Sequence, residues 1–151
     1  MRVWRVSRRA HAAFDGEGAR LAGGRWNHRG TPVVYTSATL SLAALEYFVN
    51  LDPGDAPDDL VATSADFPDG LALTAVREKD LPSGWRGYPA PEALADLGTE
   101  WARRRATAVL AVPSAVVPPE TNYLLNPAHP QFRRISVGRP SPFSLDPRMR
   151  K

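Results

Sequence analysis

The stretch Gly23–Phe48, GGRWNHRGTPVVYTSATLSLAALEYF, decides the reading of this chain. A glycine pair, an arginine and a tryptophan lead into a short β-branched run ending in tyrosine, and then into an apolar helix carrying one carboxylate. The strand is predicted at Pro32–Thr36 and the helix at about Leu40–Asn50, with Ser37 or Thr39 as its cap. Asp52-Pro53-Gly54 ends it. Leu40, Leu42, Ala43, Ala44, Leu45, Tyr47, Phe48 and Val49 make the helix apolar almost all round, which predicts that it is largely buried. The carboxylate is Glu46. Its neighbours at helical reach are Leu42, Ala43, Val49 and Asn50, so no basic residue of its own helix can pair with it. Such a glutamate snorkels at an edge, pairs with a distant cation, or is functional. Arg25 is an available distant cation.

Outward from this stretch, 151 residues suffice for one domain with a real core. Fifteen prolines argue for a loop-rich α+β protein rather than a helix bundle, because proline breaks helix interiors and central strands. The absence of cysteine excludes disulfides, thiolate catalysis and cysteine-type zinc sites. The basic start MRVWRVSRRAHAAF lacks an apolar region behind it, and no apolar run approaches the ~18 residues that span a bilayer. A soluble, cytoplasmic protein without membrane partners is expected. The net charge is +3 with a pI near 9.7, and all 19 basic residues except Lys79 and Lys151 are arginine.

Arg2–Val6 alternates like a strand, and residues 7–24 are read as a long polar, glycine-rich loop. An arginine within such a terminal strand usually faces solvent. Asp55–Asp59 reads as a surface loop. Leu60–Phe67 and Leu71–Val76 are predicted strands around the turn signal Pro68-Asp69-Gly70. Asp80–Ala90 is irregular. A helix is predicted over Pro91–Arg104, with Pro91 at its first position, Glu92 in the first turn and Arg103–Arg105 at the end. Ala108–Val112 is a buried-type strand, which Ala115–Val117 can resume. Thr121–Pro127 is mixed, and late strands are expected at Phe132–Val137 and Phe143–Leu145. The irregular alternation with hairpin-like pairs favours α+β over a doubly wound sheet.

Phosphate-loop and dinucleotide fingerprints are missing: GxxxxGK[ST] does not occur, and Gly16-Glu17-Gly18 lacks the third glycine. His11, His28 and His129 are isolated and show no metal spacing, so no metal is expected. No GxSxG elbow is present. Arg25 is either a loop arginine stacked on Trp26 or an anion clamp whose flanking glycines admit a phosphate. Tyr35 reads as a half-buried aromatic, and Ser114 as a turn serine at the end of a buried strand. A basic nucleic-acid-binding module without catalysis is the alternative, motivated by the pI, Arg103–Arg105, Arg133-Arg134 and four tryptophans. Against it, the charge is spread out and no binding motif is present.

Taken in order, the segments resemble the RES domain, the toxin component of RES–Xre toxin–antitoxin pairs. VWRV at Val3–Val6 is similar to the family's opening arginine strand. Gly23–Ser37 is similar to its GRWN…G-x-x-YT signature, and LAALEYF supplies the helical glutamate. VPS at Val112–Ser114, NYLLNPAHPQF at Asn122–Phe132 and LDPRM at Leu145–Met149 match later motifs. The resemblance implies an ADP-ribosyltransferase-like mixed fold and a toxin that cleaves NAD at the nicotinamide–ribose bond, with NAD as substrate and no resident cofactor. It places the family's active-site residues on Arg25, Tyr35, Glu46 and Ser114, with Arg5 and Asn122 as further substrate-binding positions. The acceptor it implies is water, phosphate or a protein side chain. The partner it implies is an Xre-type helix-turn-helix antitoxin covering the active site, with which the chain can form an oligomer.

Overall fold

The alternation in RVWRVSR builds strand β1, Arg2–Arg8, two residues longer than predicted. The computed structural model describes residues 1–52, 54, 55 and 57–150, the last without its side chain. After β1 come helix α1 (Glu17–Ala22), β2 (Val34–Ser37), α2 (Leu40–Val49), β3 (Leu60–Asp66), β4 (Leu73–Ala75), α3 (Glu92–Arg104), β5 (Val109–Pro113), β6 (Thr121–Leu125), β7 (Ser136–Val137) and β8 (Ser141–Pro142). The strands form one mixed sheet in the order β4-β5-β6-β2-β1-β3-β7, with β8 also paired to β3. Only β4 and β5 run parallel. This is the α+β class expected from the sequence.

Strand alternation sorts the core onto two sides of the sheet. Val3, Val34, Ala65, Val109 and Leu125 face one side, where Phe14, Phe67 and Ile135 close over them. Leu110, Val112 and Leu124 face the other and pack on Leu94 and Trp101 of α3. Further along that second side, Val6 and Leu60 pack on Ala43 of α2.

Several elements differ from the sequence-based expectation. The long loop contains a 3₁₀ turn at Arg9–His11 and the helix α1. Asp15 starts α1 by accepting the amide of Glu17 at 3.0 Å. β3 and β4 do not form a hairpin. Phe67 and Leu71, which flank the turn, are both buried, so the chain passes on to the far edge of the sheet instead of folding back. Proline 91 precedes α3 as its cap rather than opening its first turn. Ala115–Val117 stays outside the strands, and Pro130–Arg134 is a 3₁₀ helix that leaves only β7 of the predicted late strand. The last strand falls at Ser141–Pro142, whereas Phe143 and Leu145 pack against the cluster under α2.

The helix α2 forms as predicted, with Thr39 as its cap accepting the amide of Leu42 at 3.1 Å. It is not largely buried. Only Leu42 and Ala43 are fully covered, and Val49 is 54% exposed. One side lies on β1 and β2, and the residues around it, Leu40 and Ala44–Phe48, are only partly covered. The helix stops at Val49, ahead of the predicted Asp52-Pro53-Gly54; Pro53, like Ala56 of the expected surface loop, lies outside the described residues.

Candidate active site

The register of the sheet assembles the site. Ser37 of β2 pairs with Asn122 of β6, and Asn122 pairs in turn with Val112 of β5. Residues two apart on a strand share a face, so Tyr35, Ser37 and Asn122 lie on one side, with Ser114 just past the end of β5. α2 lies over this face and delivers Glu46 to it.

Glu46 is held from two sides. Its Oε1 accepts the hydroxyl of Ser114 at 2.7 Å and the Nδ2 amide of Asn122 at 3.0 Å. Asn122 is itself oriented, because its Oδ1 accepts the hydroxyl of Ser37 at 2.7 Å. Ser114 is fixed by the backbone. Its Oγ accepts the amides of Val116 and Val117 at 3.1 and 3.0 Å, which leaves its proton aimed at the carboxylate. Among the described residues, Oε2 of Glu46 accepts no hydrogen bond. A half-buried carboxylate with one oxygen anchored and the other free is oriented for a ligand.

Arg25 does not form an ion pair with Glu46 among the described residues. Its Nη1 donates instead to the carbonyls of Trp85 and Gly87 at 2.8 and 3.0 Å. Burial pushes the Arg25 guanidinium below its ordinary pKa, while the nearby charge of Glu46 acts in the opposite direction. The guanidinium is therefore within electrostatic reach of Glu46 but not neutralised by it.

Tyr35 holds the arginine loop. Its hydroxyl accepts the amide of Trp26 at 3.0 Å and donates to Oδ1 of Asn27 at 2.7 Å. Burial raises its pKa above the ordinary phenol range, so it stays a neutral donor. Asn27, only 1% exposed, donates through Nδ2 to the carbonyls of Ala19, His28 and Thr31. A Cβ at Gly24 would lie 2.7 Å from the Tyr35 hydroxyl, so the second glycine of the pair is required by close approach. On the other side the loop rests on α3. The His28 amide donates to Oγ1 of Thr99 at 2.9 Å, and a Cβ at Gly98 would fall 1.8 Å from the Trp26 carbonyl.

The sequence reading missed Ser37 and Asn27. Ser37 was considered only as a helix cap, and its pairing with Asn122 appears only once the register of β2 and β6 is known. It also saw no metal spacing around His28. In the fold, His28, Glu92 and Asp96 present ligand atoms within 4.8 Å of one another. His28 Nε2 already contacts Asp96 Oδ1 at 2.6 Å, and both carboxylates are exposed.

Arg5 stands apart from the Glu46 network. β1 and β2 meet at a single register pair, Trp4 opposite Ser37, so alternation turns Arg5 to the other face. Rather than facing solvent, it is half-buried and donates to the His11 carbonyl at 2.6 Å. Burial lowers its pKa, with Asp15 nearby acting in the opposite direction. With Val34 and Tyr35 it lines a small cavity of about 60 Å³. A larger groove of about 370 Å³ runs along Gly24, Arg25, His28 and Glu92. Glu46 lines neither. The structure thus joins Glu46, Ser114 and Asn122 directly, sets Arg25 and Tyr35 beside them through one loop, and leaves Arg5 to the separate cavity.

A mixed sheet with a serine–asparagine-held glutamate on one face and a backbone-clamped arginine beside it defines an α+β protein with a preorganised carboxylate site. The chain belongs to the RES domain family, whose profile matches residues 2–146. It is 38% identical to the Prs ADP-ribosylating toxin of a Sphingobium species, over 97% of this chain and 94% of that protein. It is 35% identical to Toxin Res of Yersinia enterocolitica, over 99% of this chain and all of that protein. It is thereby a homologue of Res toxins. Among solved structures, the crystal structure of the M. tuberculosis MbcT–MbcA toxin–antitoxin complex aligns with a TM-score of 0.76, covering 95% of this chain and 84% of that one. At 16% identity that likeness speaks for the fold alone.

Proposed function

We propose that this chain is the toxin of a toxin–antitoxin pair and that it cleaves NAD at the nicotinamide–ribose bond. The observation that carries this reading is the Glu46 carboxylate, anchored through Oε1 by Ser114 and Asn122 with Oε2 unclaimed, beside a guanidinium that does not neutralise it. Departure of nicotinamide builds positive charge on the ribose ring and its anomeric carbon, as in glycoside cleavage. A fixed carboxylate stabilises that charge and holds the ribose hydroxyls at no reorganisation cost. Arg25 supplies charge for the pyrophosphate. Tyr35 and Asn27 keep its loop in place, and nicotinamide leaves with the bonding electron pair as a neutral base. An acceptor then adds to the anomeric carbon and gives up a proton. Water, inorganic phosphate and a protein side chain all satisfy this chemistry, and the name of the Sphingobium relative favours a protein acceptor. An Xre-type antitoxin covering the Glu46 face is the proposed partner. A cytoplasmic location fits an NAD substrate, and no described helix is long and apolar enough to cross a membrane.

The nucleic-acid-binding alternative finds little support in the charges. Six of the 17 arginines, Arg2, Arg8, Arg20, Arg77, Arg104 and Arg148, each lie within 4.0 Å of a carboxylate, so about a third of the arginine charge is already paired.

The test is to incubate purified protein with NAD, with and without phosphate, and to identify products by mass spectrometry. Free ADP-ribose identifies hydrolysis, ADP-ribose-1″-phosphate identifies phosphorolysis, and a labelled protein identifies transfer. No loss of NAD under any condition, with candidate acceptor proteins included, overturns the proposal.

A further inference from the structure

The aromatic ring of Tyr88 has no role in the fold. It is 89% exposed, the most exposed large hydrophobic residue among those described. Its position is not arbitrary. The loop that carries it supplies both carbonyls that hold Arg25, those of Trp85 and Gly87, the latter adjacent to Tyr88 in the chain. Two residues on, Ala90 joins Arg25 and Gly24 in lining the 370 Å³ groove. An uncovered aromatic face is thus tied, through one short loop, to an arginine whose remaining donors are free for an anion. A planar ring beside a phosphate-binding cation is the combination that recognises a phosphorylated heteroaromatic base: the ring stacks on the base and the guanidinium takes the phosphate.

We propose that Tyr88 is a substrate-binding residue that stacks on one heteroaromatic base of the dinucleotide while Arg25 holds its phosphate. This rests on the reading of the chain as an NAD-cleaving toxin, and it assigns to the Trp85–Ala90 loop a role in affinity rather than in chemistry. Tyr88 touches the base and not the reacting bond, so its removal raises KM and leaves kcat nearly unchanged. The hydroxyl is not required for stacking, so phenylalanine substitutes for tyrosine.

The experiment measures binding by calorimetry with three probes: ADP-ribose, which carries adenine; nicotinamide mononucleotide, which carries nicotinamide; and ribose-5-phosphate, which carries no base. The proteins are wild type, Tyr88→Ala and Tyr88→Phe. Because Tyr88 is exposed, all three are expected to share one Tm. Tyr88→Ala is expected to bind one of the two base-bearing probes roughly tenfold or more weakly, in line with stacking energies at single-stranded sites. Ribose-5-phosphate is expected to be unaffected, and Tyr88→Phe to bind like wild type. The weakened probe identifies which base stacks. Unchanged affinity of Tyr88→Ala for both base-bearing probes overturns the proposal, as does an equal loss for ribose-5-phosphate. If Tyr88→Ala instead loses only affinity for a cognate antitoxin, the ring belongs to the partner interface and the proposal falls. Wild type that binds the base-bearing probes but consumes no NAD refutes the catalytic reading while leaving this one standing; wild type that consumes NAD with Tyr88→Ala unaltered does the reverse.

Discussion

Gly98→Ala should disable this protein from the back of a helix. In an open helix the change is favourable by about 1 kcal/mol, because glycine is the poorer helix former. At Gly98 the sign reverses. The added Cβ would lie 1.8 Å from the Trp26 carbonyl oxygen, whereas ordinary contact begins at 3.4 Å, so helix and loop must separate by about 1.6 Å. Neither side is a flexible side-chain tip: one is the body of α3 and the other is the backbone next to Arg25. Overpacking costs about 1–3 kcal/mol, which outweighs the propensity gain and leaves a net loss of about 1 kcal/mol. For a domain of this size that lowers Tm by about 2–4 °C. The functional loss is larger, because a displacement of about 1 Å at a positioned group costs roughly 100-fold in rate. Calorimetry, the tryptophan emission to which Trp26 contributes and NAD turnover read these effects separately. Trp26 is 2% exposed in the native loop, so its emission should shift to the red. Gly18→Ala in α1 is the control, since a Cβ there meets nothing within 4 Å and should be neutral or stabilising. If Gly98→Ala raised Tm like Gly18→Ala and kept full turnover, the packing of α3 on the arginine loop would be refuted.

Glu46→Gln should lower NAD turnover about 100- to 1000-fold with little change in Tm, because the amide oxygen can still accept from Ser114 and Asn122 while the stabilising charge is gone; turnover near wild type would remove Glu46 from the mechanism. Tyr35→Phe leaves the Trp26 amide and Asn27 Oδ1 without their partner and should cost about 1–3 kcal/mol in urea unfolding. The raised pKa of Tyr35 means that its contribution is complete below the ordinary phenol value, about 10, and is lost as pH rises toward the folded value. The gap between wild type and Tyr35→Phe should therefore narrow above pH ~10. The acid side behaves oppositely. Arg2 holds the Asp66 carboxyl below its usual range, so this pair contributes above pH ~4 and its contribution fades as pH falls through the folded value. Asp66→Asn should be slightly less stable than wild type at pH 7 and indistinguishable from it near pH 2; a difference that persists there would contradict the ion-pair origin.

What the sequence discloses here depends on the range of the interaction. The helix carrying Glu46 is a local feature and was legible, with Thr39 one of the two caps that the sequence offered. The isolation of Glu46 on its own helix left an edge position, a distant cation such as Arg25 or a functional role open, and the fold supplies neutral donors instead of that cation. Ser114, just past the end of β5, and Asn122 of β6 lie 68 and 76 residues further along the chain, and no local pattern announces a pair of neutral donors. The burial of α2 was overestimated for a related reason: apolar composition states what a helix can bury, whereas coverage depends on how many elements surround it. Leu71–Val76 was legible as extended chain but not in its pairing, because a parallel partner beyond a whole helix leaves no signal at the turn. His28 looked isolated only along the chain; Asp96 reaches it from α3.

The hydrogen bonds of Ser114 carry one last implication. Its oxygen accepts two backbone amides and its proton is committed to Glu46, so both lone pairs are occupied and none is free to attack. A serine next to a carboxylate invites comparison with a hydrolase nucleophile, yet this one is saturated. Fluorophosphonate probes, which label activated serines, should leave the protein unmodified even at full activity.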